Sequence, residues 1–378
     1  MHSSLNMLAD IPFAQFSTII LGLLATVTAI YLIPKKSRVQ YPSLNNDPSE
    51  YISDARALLA RGVTRYGDKP FSILVPQKSI VILPPSLSNW VKTSRDLDHQ
   101  QLVRDDFFAT YPGFESQQTL HHPNRAVINM VQGKLSKNDQ TLAVLDAHIR
   151  LALTELWGED NQEWKHLDWD NGTSGLISRA AASVFVGPEL ATDPEWQDVT
   201  RSYVQEFFAA APQMQSWHPW LRPIVHCFLP HTVACRALTR RARSLINAVI
   251  DQRLQKAKAA ESRSEKAPEY HDALSWTLDS PGTSSYHPGD VQLALAMAAY
   301  FTTAEVLRQV LIDIACRPQL IEALREEMEH VITQHGVTPA ALTHLELLDS
   351  VMKESQRLAP ALGKRTRFDD VPSRPDIN

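Results

Sequence analysis

Two hydroxyls, Thr302 and Thr303, close the otherwise apolar run VQLALAMAAYF in this chain. A threonine in such a helix either bonds the carbonyl one turn back or offers its hydroxyl to proton transfer at a reacting group. Both uses stay open at this point. Glu354 and Arg357 stand three apart, the spacing at which an acid and a base pair on one helix face. Other patterns fall short of a chemistry. Arg104-Asp105-Asp106-Phe107-Phe108 begins like a magnesium-binding acid run but lacks a third acid at the needed spacing. His121-His122 has no acid or histidine at helical spacing and no HExxH follows, so the pair reads as polar loop histidines. Gly172-Thr173-Ser174-Gly175 is not a GxSxG elbow. Neither GxGxxG nor GxxxxGK[ST] occurs, which removes the main support for dinucleotide and P-loop readings.

The elements that must position these residues are read from composition and periodicity. With 44% apolar residues in 378, a large core is available and disorder is excluded. The balance of 37 basic against 42 acidic residues gives a net charge of −5, which argues against a nucleic-acid partner. Cys227, Cys235 and Cys316 are too few and too scattered for a disulfide scaffold or a paired-cysteine zinc module. Only 13 glycines lean the chain toward helix.

Residues 11–33 carry no charged side chain. As a helix they span roughly 34 Å, enough for a bilayer core of about 30 Å. Asp10 precedes the stretch and Lys35, Lys36 and Arg38 follow it, so the positive-inside rule leaves the remainder of the chain in the cytosol. The expectation is an N-terminal single-pass membrane anchor at 1–33, a polar linker at 34–50 and one main domain at 51–378.

Downstream, Phe71–Val75 and Ser79–Leu83 read as a β-hairpin. From about residue 120 the pattern is mainly helical. One helix covers 233–258, with Leu238, Ala242, Leu245, Ile246, Val249 and Leu254 on its apolar face. Arg236, Arg240, Arg241, Arg243, Arg253, Lys256 and Lys258 form the other side, expected to be solvated, with attraction to an anionic membrane as the sharper alternative. The aromatic segment Trp217–Val225 before it suits an interfacial contact. Asp290 is expected to cap a central helix that runs unbroken to Arg317-Pro318. Pro318 starts a second helix that Gly336 ends, and a last helix runs to about Leu358.

At these residues a resemblance emerges. Ala298-Ala299-Tyr300-Phe301-Thr302-Thr303, then Arg325-Glu326-Glu327, then Lys353-Glu354-Ser355-Gln356-Arg357-Leu358 resemble a microsomal cytochrome P450, in particular the fungal members that oxidise terpenoid and alkaloid intermediates. Ile177–Leu190 and Trp220–Pro230 fit the same subgroup. The resemblance implies a mainly α fold with a small β-hairpin, an incomplete cytochrome P450 fold behind an N-terminal transmembrane helix. It implies heme as cofactor, NADPH-cytochrome P450 reductase as electron donor, a hydrophobic small-molecule substrate, and a place in the endoplasmic reticulum membrane. Thr302 becomes the hydroxyl that organises proton delivery, with Ala298, Ala299 and Phe301 lining the oxygen pocket. Phe301 departs from the polar residue of many relatives, and a phenyl ring relays no proton. Glu354 and Arg357 become the buried ion pair of the heme core.

The family's axial cysteine belongs in a Gly- and Phe-containing loop beyond KESQRL, and the 21 residues after Arg357 contain no cysteine. The three cysteines present read as ordinary buried or half-buried thiols rather than metal ligands. The expectation is a truncated, C-terminally incomplete domain that is not a competent monooxygenase as it stands. The alternative is a non-catalytic, membrane-tethered helical protein that binds a lipophilic ligand or a partner.

Overall fold

The computed structural model describes residues 41–359, apart from 77, 136–138, 160–165 and 167. The expected anchor and the tail beyond Ala359 lie outside the described residues. The chain divides between Trp90 and Val91 into two compact units.

In the first unit, helix α1 (Ser49–Tyr66) precedes strands β1 (Phe71–Val75) and β2 (Lys78–Ile82). The strands pair antiparallel, Phe71 opposite Ile82 and Val75 opposite Lys78, so the expected hairpin forms within a residue of its reading. β1 is almost wholly buried and β2 mostly exposed, because α1 packs against β1, which also lies between β2 and the Ser43 segment. Leu44, Leu58, Phe71, Ile73 and Val75 make this core. Within the 34–50 segment, Ser43 bridges Ser72 in parallel. The Asn45 amide acts as an extra strand residue, accepting from Leu74 N–H at 2.8 Å and donating to Leu74 O at 2.9 Å. Non-helical backbone at Asp54 kinks α1, and the Asp54 carboxylate caps the restarted turn at Ala57 N–H.

Helix α2 (Ser88–Thr93) spans the division, and the second unit continues helical. Its elements are α3 (His99–Asp106), α4 (Glu115–Leu120), α5 (Ala126–Lys134), α6 (Asp139–Trp157), α7 (Trp169–Phe185), α8 (Pro188–Ala191) and α9 (Pro194–Gln215). Then follow α10 (Arg222–Val225), α11 (Pro230–Ser262), α12 (Ala273–Asp279), α13 (Pro288–Ala315), α14 (Gln319–His335), α15 (Pro339–Leu342) and α16 (Glu346–Leu358). The described residues are thus mainly α with one two-stranded sheet, as expected. Short-range chemistry sets many helix starts. Asp98, Asp168, Asp193 and Asp272 each accept a hydrogen bond from the N–H three residues on.

The central helix α13 packs against α4, α7, α11 and α16, while α9 packs on α11. Phe114, Trp196, Tyr203, Phe207, Ile246 and Leu293 are the bulk of the main core. Among the described residues α13 is the one helix long and apolar enough to cross a membrane. Its early turns are nevertheless enclosed by protein, from Gly289 through Leu295 and again at Met297.

Two expectations fail here. Asp290 does not cap α13; His287 does, its Nδ1 accepting from Gly289 N–H at 3.0 Å, with Pro288 as the first helical residue. Asp290 faces inward instead, 4% exposed, because Arg243 holds it. The basic stripe of α11 is likewise not one solvated face. Arg240, Lys256 and Lys258 are exposed, and Leu254, expected on the apolar face, is exposed as well. Arg253 is buried and bonded to Asp272, Glu189 and the Val186 carbonyl, with its guanidinium 4.0 Å from the Tyr270 ring centre. Arg236 donates to the carbonyls of His226 and Cys227, and Arg241 bonds Glu195. Arg236, Arg243 and Arg253 are therefore tied into the fold, whereas Arg240, Arg241, Lys256 and Lys258 keep the exposure expected of a solvated face.

Candidate functional site

The N-terminal end of α13 is fixed by charge. Arg243 on α11 grips Asp290 with both arms, Nε to Oδ1 at 2.7 Å and Nη2 to Oδ2 at 2.8 Å. Its Nη2 also lies 3.3 Å from Glu115 Oε1, at the start of α4. The Asp290 hydrogen bond holds the Arg243 pKa above its usual value against the opposing effect of burial. Burial pushes the His287 imidazole the other way, down, which favours the neutral ring that the cap needs. One bidentate pair thus sets where α13 begins relative to α4 and α11.

Past Met297 the helix opens. Ala298 and Thr303 are exposed, and Ala299, Tyr300, Phe301 and Thr302 are half-buried. Thr302 donates its hydroxyl proton to the Ala298 carbonyl one turn back, at 2.7 Å. The bond fixes the rotamer and leaves the oxygen lone pairs for an incoming donor. Phe301 sets its ring 6.1 Å from Phe208 of α9, which is 46% exposed. Phe208 in turn stands edge-on to Phe107 and Phe207. Beside the hydroxyl turn the structure therefore places an aromatic wall, which can receive an apolar molecule by contact. Phe208 was not singled out in the sequence; the Phe207-Phe208 doublet in a helix that turns both faces to work was the available signal.

Glu354 and Arg357 do pair, with Nε to Oε2 at 2.7 Å and Nη2 to Oε1 at 2.6 Å. The pair is not the buried one expected: the side chains are 56% and 67% exposed, and the inward residue of this turn of α16 is Ser355. The mutual hydrogen bond lowers the Glu354 pKa and raises that of Arg357. In solvent such a pair stabilises little.

The expected heme asks for a cysteine thiolate, and the three cysteines do not fit. Cys235 is fully buried in the core between α9 and α11, and burial pushes its thiol up to about 12, so it stays protonated. Cys227 and Cys316 are exposed, which corrects their reading as buried or half-buried thiols. Cys316 lies 14 residues beyond Thr302 at the end of α13, about 21 Å along the axis at 1.5 Å per residue. Among the described residues no group of histidine, cysteine and acid side chains could hold a metal ion. What the site does offer is a small-residue helix turn, a fixed hydroxyl and an aromatic wall.

Comparison with known proteins places this architecture. The family model for cytochrome P450 matches residues 122–371. The cytochrome P450 monooxygenase ptmU of Penicillium ochrochloron is 31% identical over 336 residues, covering 85% of this chain and 65% of that protein. Dihydromonacolin L monooxygenase LovA of Aspergillus terreus is 33% identical over 297 residues, covering 78% of this chain and 56% of that one. The chain thus spans less than two thirds of either relative's length. A retinoic acid-bound cyanobacterial CYP120A1 structure superposes with a TM-score of 0.58 at 15% identity, covering 85% of this chain and 70% of its own, which shows a shared fold. Family match, relatives and architecture agree: this chain belongs to the cytochrome P450 family, whose cofactor is heme.

Proposed function

We propose that the chain serves as a membrane-bound monooxygenase-type protein that takes a hydrophobic secondary metabolite of terpenoid or alkaloid type against the open turn of α13. In this reading NADPH-cytochrome P450 reductase supplies the electrons, and the main domain sits on the cytosolic side of the endoplasmic reticulum. The observation that carries it is the Ala298–Thr303 turn with its aromatic wall, in a chain 31% identical to a fungal P450 monooxygenase. Bound heme would supply the oxidising chemistry. Of this chain's own residues, Phe301 and Phe208 shape the apolar wall, Ala298 and Ala299 leave room, and Thr302 holds a hydroxyl in place. Glu354 and Arg357, paired on α16, are the ion pair proposed to support the heme core. In this reading none of Cys227, Cys235 and Cys316 serves as a thiolate ligand to heme iron, which the buried, protonated Cys235 supports. That placement alone favours the second reading, a tethered, non-catalytic helical protein that binds a lipophilic ligand. A carbon-monoxide difference spectrum of the reduced chain tests the claim.

The membrane part of the reading draws on a surface between α9 and α11. Trp220 is 68%, Ile224 60% and Phe228 79% exposed, in a segment that also carries Arg222. Large apolar side chains beside a cation suit the headgroup boundary of a bilayer. None of the 8 tryptophans lies in residues 1–40, so tryptophan fluorescence reports on the chain beyond the expected anchor. With the full chain in vesicles, spin-labelled lipids are expected to quench this fluorescence, and Trp220→Phe is expected to remove about half or more of the quenching. Quenching unchanged in Trp220→Phe would refute contact at this surface.

A further inference from the structure

Gln292, on the second turn of α13, has a fully buried side chain, yet neither its Oε1 nor its Nε2 has a hydrogen-bond partner in the protein. Among the described residues no other buried amide side chain is left with both ends unpaired. Buried polar atoms almost always find a partner, so such a group calls for one that is not a protein atom. The side chain borders a small cavity where α13 meets α7 and α9. Ala181, Ala182 and Ala296 make the room, while Thr200 and Ser178 bring hydroxyls to its wall. The space open to a water's centre is about 10 Å³, close to the minimum for one water and too little for any organic ligand.

The hydroxyl at Thr200 is available in one sense only. It is 5% exposed and donates its proton to the Trp196 carbonyl at 2.9 Å, so its lone pairs can accept but it has no second proton to give. Ser178 directs its hydroxyl at Gln197 Oε1. A water molecule complements this set. It can accept from Gln292 Nε2, donate one proton to Gln292 Oε1, and donate the other to Thr200 Oγ1. A primary amide presents its syn N–H and its carbonyl on the same side, which lets one water close a ring with it.

We propose that this cavity is a binding site for a single structural water, held by Gln292 and Thr200, that joins the first third of the central helix to α9. Such a water meets the usual requirement of two to four polar partners. It adds a polar tie between α13 and the helix that carries Phe207 and Phe208. Gln292 lies ten residues before Thr302, some 15 Å along the helix, while Tyr300 of the open turn lines the far side of the same cavity.

The test is a double-mutant cycle on the full chain in detergent, read by thermal unfolding. Gln292→Met keeps the length and removes both polar atoms; Thr200→Val removes the acceptor. With the water in place, Gln292→Met is expected to lower Tm by about 2–4 °C, and the double variant to lose less than the sum of the two single losses. Gln292→Met that raises Tm, as relief of an unpaired amide in a dry cavity would, overturns the proposal. Strict additivity also overturns it, because the two residues then share no water. Should a variant fail to fold, a high-resolution density map of the unaltered chain decides: a peak within hydrogen-bond distance of both Gln292 and Thr200 supports the site, and none refutes it.

Discussion

Replacing Arg253 with methionine is expected to destabilise the second unit by about 3–5 kcal/mol. The side chain is 7% exposed, and the two carboxylates it serves, Glu189 and Asp272, are 14% and 4% exposed. Methionine fills much of the volume but leaves both acids without their cation in a poorly solvated site. The guanidinium also holds the Val186 carbonyl and touches Ser275, so α8, α11 and α12 loosen together. Burial opposes the charge on Arg253, yet the bonds from Asp272 and Glu189 outweigh it and raise the pKa. For Glu189 burial opposes ionisation, and the Arg253 bonds outweigh it and lower the pKa below 4.5. A carboxylate with a depressed native pKa stabilises fully above the unfolded value and ceases to do so as pH falls through the native one. Acid unfolding of the unaltered chain should therefore show a contribution below about pH 4.5 that Arg253→Met abolishes. Urea titrations at neutral and acid pH check both parts. Equal stabilities of the two chains would show the network to be inert.

Gly113→Ala is the second large effect. Gly113 has φ +94°, a backbone state that a side chain resists. A Cβ there would sit 2.9 Å from the backbone nitrogen of Arg236 on α11, so helix or turn has to shift. Strain at such a position costs about 1–3 kcal/mol, and forced overpacking about 1–3 kcal/mol more. The shift also disturbs the Tyr203 hydroxyl, which donates to Gly113 O at 2.9 Å and shares a hydrogen bond with Ser116 at 2.8 Å. Gly133→Ala is the matched comparison: it lies inside α5 and its Cβ would meet nothing within 4 Å. That variant is expected to be neutral or stabilised by about 0.5–1 kcal/mol. Thermal melts in which the two alanine variants behave alike would contradict the close approach.

The elements were more legible than their partners. β1 and β2 could be read because strand propensity and a turn signal are local, and the pairing of Phe71 with Ile82 follows from the short connection. The length of α13 was legible for the same reason, with Pro288 at its start. Its cap was not. Histidine and aspartate both accept from helix N–H groups, and what draws Asp290 away is Arg243, 47 residues earlier. Periodicity gave the arginines of α11 a common face but carried no information on which acids meet them. Only the fold shows that Arg253 is interior and Arg240 is not. The spacing of Glu354 and Arg357 forecast their bond correctly and their burial incorrectly, since burial depends on what else packs over α16. Gln292 lies within the run VQLALAMAAYF that reads as apolar, and its unpaired amide is a property of three helices at once.

The central claim, that this chain has the P450 architecture without a cysteine placed for iron, is tested most directly by its reduced carbon-monoxide difference spectrum. The 378-residue chain is to be expressed in yeast microsomes with heme precursor supplied. The predicted result is anchored protein present in the membranes and no Soret band of thiolate-ligated iron. A clear band of that type would mean that Cys227, Cys235 or Cys316 reaches the iron, and would contradict the placement of all three.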